Sequence, residues 1–157
     1  MKVRGPWSRE RALDFAVEVV VPARVACNTP SGWPTSVSLW YLVDDGAFWC
    51  ATQRSARIVE WLREDPRCSI EIAPEHPPYK GLRARARASL LPDSEGRLLR
   101  RLIDRYLGSD QFPLARRLLA RSADEVAIRL DPLSLSSWDF SDRMKGIEST
   151  PPAPNQA

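Results

Sequence analysis

Histidine is almost missing from this 157-residue chain, and cysteine is scarce: His76 stands alone beside Cys27, Cys50 and Cys68. The three cysteines form no CxxC pair, so a structural zinc site with four Cys/His ligands in paired spacing cannot be assembled. His76 lies in the loop-like run Pro74-Glu75-His76-Pro77-Pro78, a poor setting for the base of a Ser-His-Asp arrangement. An odd number of unpaired cysteines points to a reducing compartment. Long apolar runs are lacking too. The most apolar N-terminal stretch, Phe15 to Val21, contains Glu18 and stops at Pro22, against roughly 20 residues for a membrane span. The N-terminus reaches Arg9-Glu10-Arg11 without the apolar core of a signal peptide. A cytoplasmic protein without a membrane partner is expected.

Lysine is the third scarcity. Of 23 basic residues, only Lys2, Lys80 and Lys145 are lysine; the rest are arginine. Arginine suits bidentate recognition of carboxylate and phosphate, although a GC-rich genome gives the same bias. Against 20 acidic residues the net charge is +3, which gives little support to a nucleic-acid platform. What is present is ordinary: 43% hydrophobic and 27% charged residues, the balance of a globular chain. At this length one domain is expected, over 1–145, with a disordered tail at 146–157 that ends in a proline-rich run.

The periodicities alternate between strand and helix. Ser8 caps a helix over Arg9–Val19 with Leu13, Ala16, Val17 and Val20 along its buried face. Strand-like runs follow at Ala23–Thr29, Thr35–Val43 and Ala47–Thr52, with Asp44-Asp45-Gly46 as a hairpin turn. Ser55 caps a helix over Ala56–Glu64. Strands are predicted at Arg67–Ala73 and Gly81–Leu91. Asp93 caps a helix over Ser94–Leu107, closed by Gly108, and a shorter helix covers Phe112–Ala120. Glu125–Leu130 and Leu133–Trp138 give a sixth and a seventh strand. The fold class is therefore mainly β with peripheral helices (α+β), six or seven mostly antiparallel strands closing a small barrel. A βαβ unit with a glycine-rich first turn is lacking, which argues against a dinucleotide-binding Rossmann site.

Two segments could carry chemistry. In Thr52-Gln53-Arg54-Ser55-Ala56-Arg57 a strand runs into a helix N-terminus, whose free N–H groups favour an anion. Thr52 and Ser55 add hydroxyls, and Arg54 and Arg57 add charge. Alternatively Ser55 only caps the helix and the arginines are solvated. The stripe Arg83, Arg85, Arg87 puts three like charges on one strand face. Glu71 on the neighbouring strand, a partner subunit or an anionic ligand would compensate it. Trp33, Trp40, Trp49 and Trp61 fill either a core and an interface, or a pocket for a planar cofactor.

Several motifs in order, Ser31-Gly32-Trp33-Pro34, Leu39-Trp40-Tyr41-Leu42-Val43-Asp44-Asp45-Gly46, Thr52-Gln53-Arg54-Ser55-Ala56-Arg57 and Leu62-Arg63-Glu64-Asp65-Pro66-Arg67, resemble the pyridoxamine 5'-phosphate oxidase-like family. Pro77-Pro78-Tyr79-Lys80-Gly81, Arg105-Tyr106-Leu107-Gly108 and Ser137-Trp138-Asp139 extend the resemblance from Ser8 to Asp139, closest to its flavin- and deazaflavin-dependent oxidoreductase branch. The resemblance implies a split β-barrel, a homodimer with two cofactor sites at the subunit interface, and FMN or the deazaflavin coenzyme F-420 as cofactor. By position it places cofactor contacts on Ser36, Val37, Ser38, Trp40, Tyr41, Ala51, Thr52, Ser55 and Arg57. Trp40 and Tyr41 would line the ring, Arg57 would bind the phosphate, and Tyr106 would stand at the substrate mouth. The oxidase pattern has basic residues at both ends of the Ser36–Tyr41 segment and a second one at Ile58. This chain has none of the three, which argues against pyridoxamine phosphate as substrate. The implied activity is hydride transfer to or from a small organic molecule; a non-catalytic flavin- or haem-binding protein of the same fold is the alternative. For haem, His76 alone offers little.

Overall fold

The computed structural model describes residues 1–93 and 95–147. Eight strands and four α-helices follow in order: β1 (Lys2–Arg4), α1 (Arg9–Glu18), β2 (Ala23–Asn28), β3 (Pro34–Leu39), β4 (Tyr41–Asp44), β5 (Ala47–Gln53), α2 (Arg57–Glu64), β6 (Arg67–Ile72), β7 (Lys80–Pro92), α3 (Arg97–Leu107), α4 (Pro113–Leu119) and β8 (Glu125–Asp139). The sheet runs β3-β2-β6-β7-β8-β5-β4, all antiparallel, and β1 joins β8 in parallel.

The two ends of this sheet, β3 and β4, are consecutive in the chain and separated by Trp40 alone. The barrel is therefore not closed by hydrogen bonds; it is split, and the chain crosses the split at one residue. The single strand expected over Thr35–Val43 is thus two. Its hydrophobic alternation runs through the break because β3 and β4 keep their parity while changing partners, from β2 to β5. Asp45 and Gly46 both take left-handed backbone, φ 50° and 69°, as a tight hairpin turn demands.

Strands six and seven are likewise one strand, β8. It holds β5 and the end of β7 with its first half, and β1 with its second. An irregularity in its pairing with β7 lies between Arg85 and Ala86, opposite the Ser134 to Pro132 stretch that interrupts the apolar pattern. β1 was not foreseen, because three residues carry no readable period. Gly5 makes its docking possible: at φ 93°, a Cβ there would lie 2.0 Å from the Ser137 carbonyl oxygen.

Core packing follows the alternation. On β7, Leu82, Ala84, Ala86 and Ala88 are buried, while Arg83, Arg85 and Arg87 are exposed. α1 lies against the barrel through Ala12, Phe15 and Ala16, with Trp7 packed on Phe15 at 4.7 Å. Its buried face is rotated from the expected one: Val17 and Val20 are about half exposed. Phe15 decides the rotation, since burying an aromatic ring contributes roughly 1.5–3 kcal/mol, more than a valine at the rim. Ser8 caps α1 as expected, accepting from Arg11 N at 3.2 Å.

Two other caps differ. α2 is capped by Ala56 with no side-chain bond, so Ser55 does not cap it. α3 begins at Arg97 after Gly96. Asp93 still serves that helix, its buried carboxylate accepting from Leu98 N and Leu99 N at 3.2 and 3.1 Å. Ser94, proposed as its first residue, lies outside the described residues, as does 148–157 of the expected tail.

Candidate cofactor site at the split

The split is walled by α3 and α4. Trp40 stacks on Tyr106 of α3, ring centroids 4.9 Å apart and planes 4° from parallel. The Tyr106 hydroxyl accepts from Tyr41 N at 3.2 Å and donates to Val21 O at 2.9 Å. A backbone N–H that a continuous strand would use in the ladder is thus satisfied by a side chain, which explains where the strand breaks.

Beside this stack is a cavity of about 310 Å³. Ser38, Leu39 and Trp40 line it from the strand break, Ala51, Thr52 and Gln53 from the end of β5, and Leu99, Leu102, Leu114 and Leu118 from α3 and α4. Its walls are largely apolar, with a few polar groups at one side, the usual character of a small-molecule pocket. Glu125 completes the polar side and is 2% exposed. Gln53 donates to the Glu125 carboxylate through Nε2, while its own Oε1 is buried without a partner. Burial pushes the Glu125 carboxyl above its ordinary pKa, with Asp93 adding to the rise and Gln53 opposing it.

Four of the nine expected contact residues, Ser38, Trp40, Ala51 and Thr52, share this cavity. Ser36 lies on the same exposed face of β3, which ends the sheet, so one edge of its backbone is left unpaired by the ladder. Val37 instead packs towards the core. Tyr41 is the clear departure. It is fully buried, and its hydroxyl bonds Ala16 O at 2.7 Å and lies 3.1 Å from Val19 O. Burial, with Tyr106 beside it, raises its pKa well above the usual phenol value. The Tyr41 side chain therefore belongs to the core and does not line a ring; Trp40 remains for that role.

Ser55 and Arg57 lie just beyond Thr52, outside the cavity lining. The turn between them and β5 is fixed by Ala56 N donating to Gln53 O at 2.9 Å and Arg54 N donating to Asp124 O at 2.8 Å. Arg54, Ser55 and Arg57 are exposed. Neither arginine has a carboxylate partner among the described residues, and the Ser55 hydroxyl serves no cap. The start of α2 thus offers free donors next to the polar side of the cavity.

Gln53 and Glu125 are the pair that periodicity missed. Glu125 opens an apolar strand, an odd place for a carboxylate, yet only the register Gln53↔Glu125 brings the two together. His76 is exposed and lines a second cavity, which meets this one at Ser38; it is not among the residues lining the cavity at the split. The thiols offer no nucleophile: burial pushes Cys50 and Cys68 up to about 12, and Cys27 upward as well.

A split barrel with a pocket at its open seam is the architecture of a known family, and the comparisons agree. Residues 12–139 match the family model described as pyridoxamine 5'-phosphate oxidase, which is most of the chain. The protein belongs to that family. A conserved hypothetical protein of Mycobacterium tuberculosis shares the fold over 97% of this chain and 96% of its own, at TM-score 0.73 and 22% identity. A structure titled F420 reductase matches 78% of this chain and 94% of its own, at TM-score 0.68 and 22% identity. A FAD-binding protein of Mesorhizobium loti covers 83% and 91%, at TM-score 0.58 and 25% identity. No curated protein matches the chain.

Proposed function

We propose that this chain is a flavin-type oxidoreductase that binds FMN or the deazaflavin coenzyme F-420 at the interface of a homodimer, and that it acts on a small organic substrate rather than on pyridoxamine phosphate. The observation that carries the reading is the apolar cavity at the split, walled by Trp40, Ala51 and Thr52, with unpartnered donors beside it at the start of α2. Membership of the family and neighbours titled F420 reductase and FAD-binding protein support it.

The donor set fits such a cofactor. Trp40 presents an aromatic face whose rotation is blocked by Tyr106. Thr52 and Ser55 hydroxyls, the N–H groups of α2 and the guanidinium of Arg57 would hold a phosphate. The buried, unpartnered Oε1 of Gln53 lies where a further donor is wanted. When bound, the ring supplies hydride chemistry of its own. The residues of the chain bind it, orient it and keep water from the Leu99, Leu102 and Leu118 side of the cavity. No acid or base from the protein is required, in keeping with the exposed position of His76. The absence of basic residues at Ser36, Tyr41 and Ile58 disfavours a phosphorylated substrate such as pyridoxamine phosphate.

The test is the visible spectrum of the purified protein, followed by titration of the apo form with FMN and with F-420. Saturable binding of either supports the reading. Absence of binding by both removes it and leaves only the fold.

A further inference from the structure

On the far side of the barrel from the split, the outer face of the sheet carries a second candidate site. The arginine stripe of β7 does not stand alone. β8 lies between β7 and β1, and the register places Arg85 opposite Ser134 and Lys2 opposite the same serine. One row on, Arg83 and Arg4 both oppose Ser136. Residues two apart on a strand share a face, so all six side chains point outward together. Adjacent strands are about 4.8 Å apart, which puts the backbones of β1 and β7 about 9.6 Å apart with the serine strand between them. Long basic side chains from both sides can then converge over the Ser134 hydroxyl and over Ser136, whose hydroxyl lies 3.4 Å from Arg83 O. They enclose a cavity of about 390 Å³ whose lining contains no carboxylate.

The charges are unevenly satisfied. Arg83 pairs with Glu71 and lies over the Trp138 ring at 5.7 Å. Lys2, Arg4 and Arg85 have no carboxylate within ion-pair distance among the described residues. Glu71, the compensation that the stripe leads one to expect, thus neutralises one cation of four. β1 itself needs Gly5 for its close approach to Ser137, so the fold brings two cations to this place through a contact that only glycine permits.

We infer that this cavity binds a phosphorylated small molecule carrying at least two adjacent oxyanions, of the pyrophosphate type. Its lining side chains offer guanidinium, ammonium and hydroxyl donors, which match phosphoryl oxygens, and two flanking rows of cations match two phosphoryl groups. The site is separate from the start of α2, so it stands or falls independently of the flavin reading.

Calorimetric titration with inorganic pyrophosphate at low salt tests it, using wild type, Arg85→Gln, Lys2→Gln and Arg63→Ala, the last an exposed arginine assigned to neither site. Wild type is expected to bind. Arg85→Gln is expected to weaken binding at least tenfold, Lys2→Gln less, and Arg63→Ala not at all. Thermal melts confirm that the exposed substitutions leave the fold intact. Absence of binding by wild type, equal affinity in Arg85→Gln, or an equal loss in Arg63→Ala would each overturn the assignment. So would a short DNA duplex binding more tightly than pyrophosphate with the same dependence on Arg85, since that makes the face a nucleic-acid surface.

Discussion

Trp40 is the single residue between the two edges of the sheet, and Tyr106 holds it there, ring on ring at 4.9 Å. The same tyrosine hydroxyl receives the N–H of Tyr41 and reaches Val21 O. Tyr106→Phe keeps the stack and removes both hydrogen bonds, leaving the buried Tyr41 N–H unpaired. It is expected to cost roughly 1–3 kcal/mol in chemical denaturation. Tyr106→Ala loses the ring as well and should cost more.

Arg105, the neighbour of Tyr106, closes the other end of this arrangement. α1 has no basic residue in its last turn, and Arg105 donates to Ala16 O, Val17 O and Val19 O at 2.9, 2.8 and 2.7 Å. These are the orphan carbonyls of a helix C-terminus. Arg105→Ala should destabilise by roughly 1.5–3 kcal/mol, the range for bonds to a charged group. Arg105→Lys should recover only part of that, since an ammonium cannot span three carbonyls as a fork does.

Glu125 makes stability depend on pH. Burial raises its pKa in the folded state, so the folded chain holds this proton more tightly than the unfolded chain. The resulting contribution is present at acid pH and is lost as pH rises through the Glu125 titration. Glu125→Gln removes that dependence. Its melting temperature should gain on wild type as pH rises above the ordinary carboxylate range, whereas a difference that stays constant with pH would contradict the assignment.

A homodimer is expected in solution. Trp33, Phe112 and Leu114 are 75%, 52% and 41% exposed, and Leu114 borders the cavity at the split. Apolar rims of this kind mark interfaces, and obligate ones bury more than about 2,000 Å². Sedimentation showing a monomer at micromolar concentration would remove the two-subunit site.

The barrel was readable because its strands obey period two where one face is wet, as β7 does residue by residue. Its opening was not. Val37, Leu39, Tyr41 and Val43 alternate without interruption, and only the pairing partners reveal the break at Trp40. The same limit applies to the site. The resemblance of short motifs places contacts on Ser38, Trp40, Ala51 and Thr52, which the structure brings to one cavity. The resemblance puts Tyr41 at the ring, whereas alternation puts its side chain on the apolar face of the strand, and there α1 covers it. Gln53 and Glu125 are 72 residues apart, and no local pattern connects them.

The most direct test of the account is a titration of wild type, Arg57→Ala and Arg63→Ala with FMN and with F-420. Arg57 opens α2 beside the cavity, whereas Arg63 lies in its last turn. Arg57→Ala should bind about ten- to a hundredfold more weakly, a loss of roughly 1.5–3 kcal/mol for a charge-assisted bond to phosphate. Arg63→Ala should match wild type, and all three proteins should melt alike. Equal affinity of Arg57→Ala and wild type for both cofactors would contradict the phosphate site at the start of α2, and failure of wild type to bind either would contradict the cofactor reading as a whole.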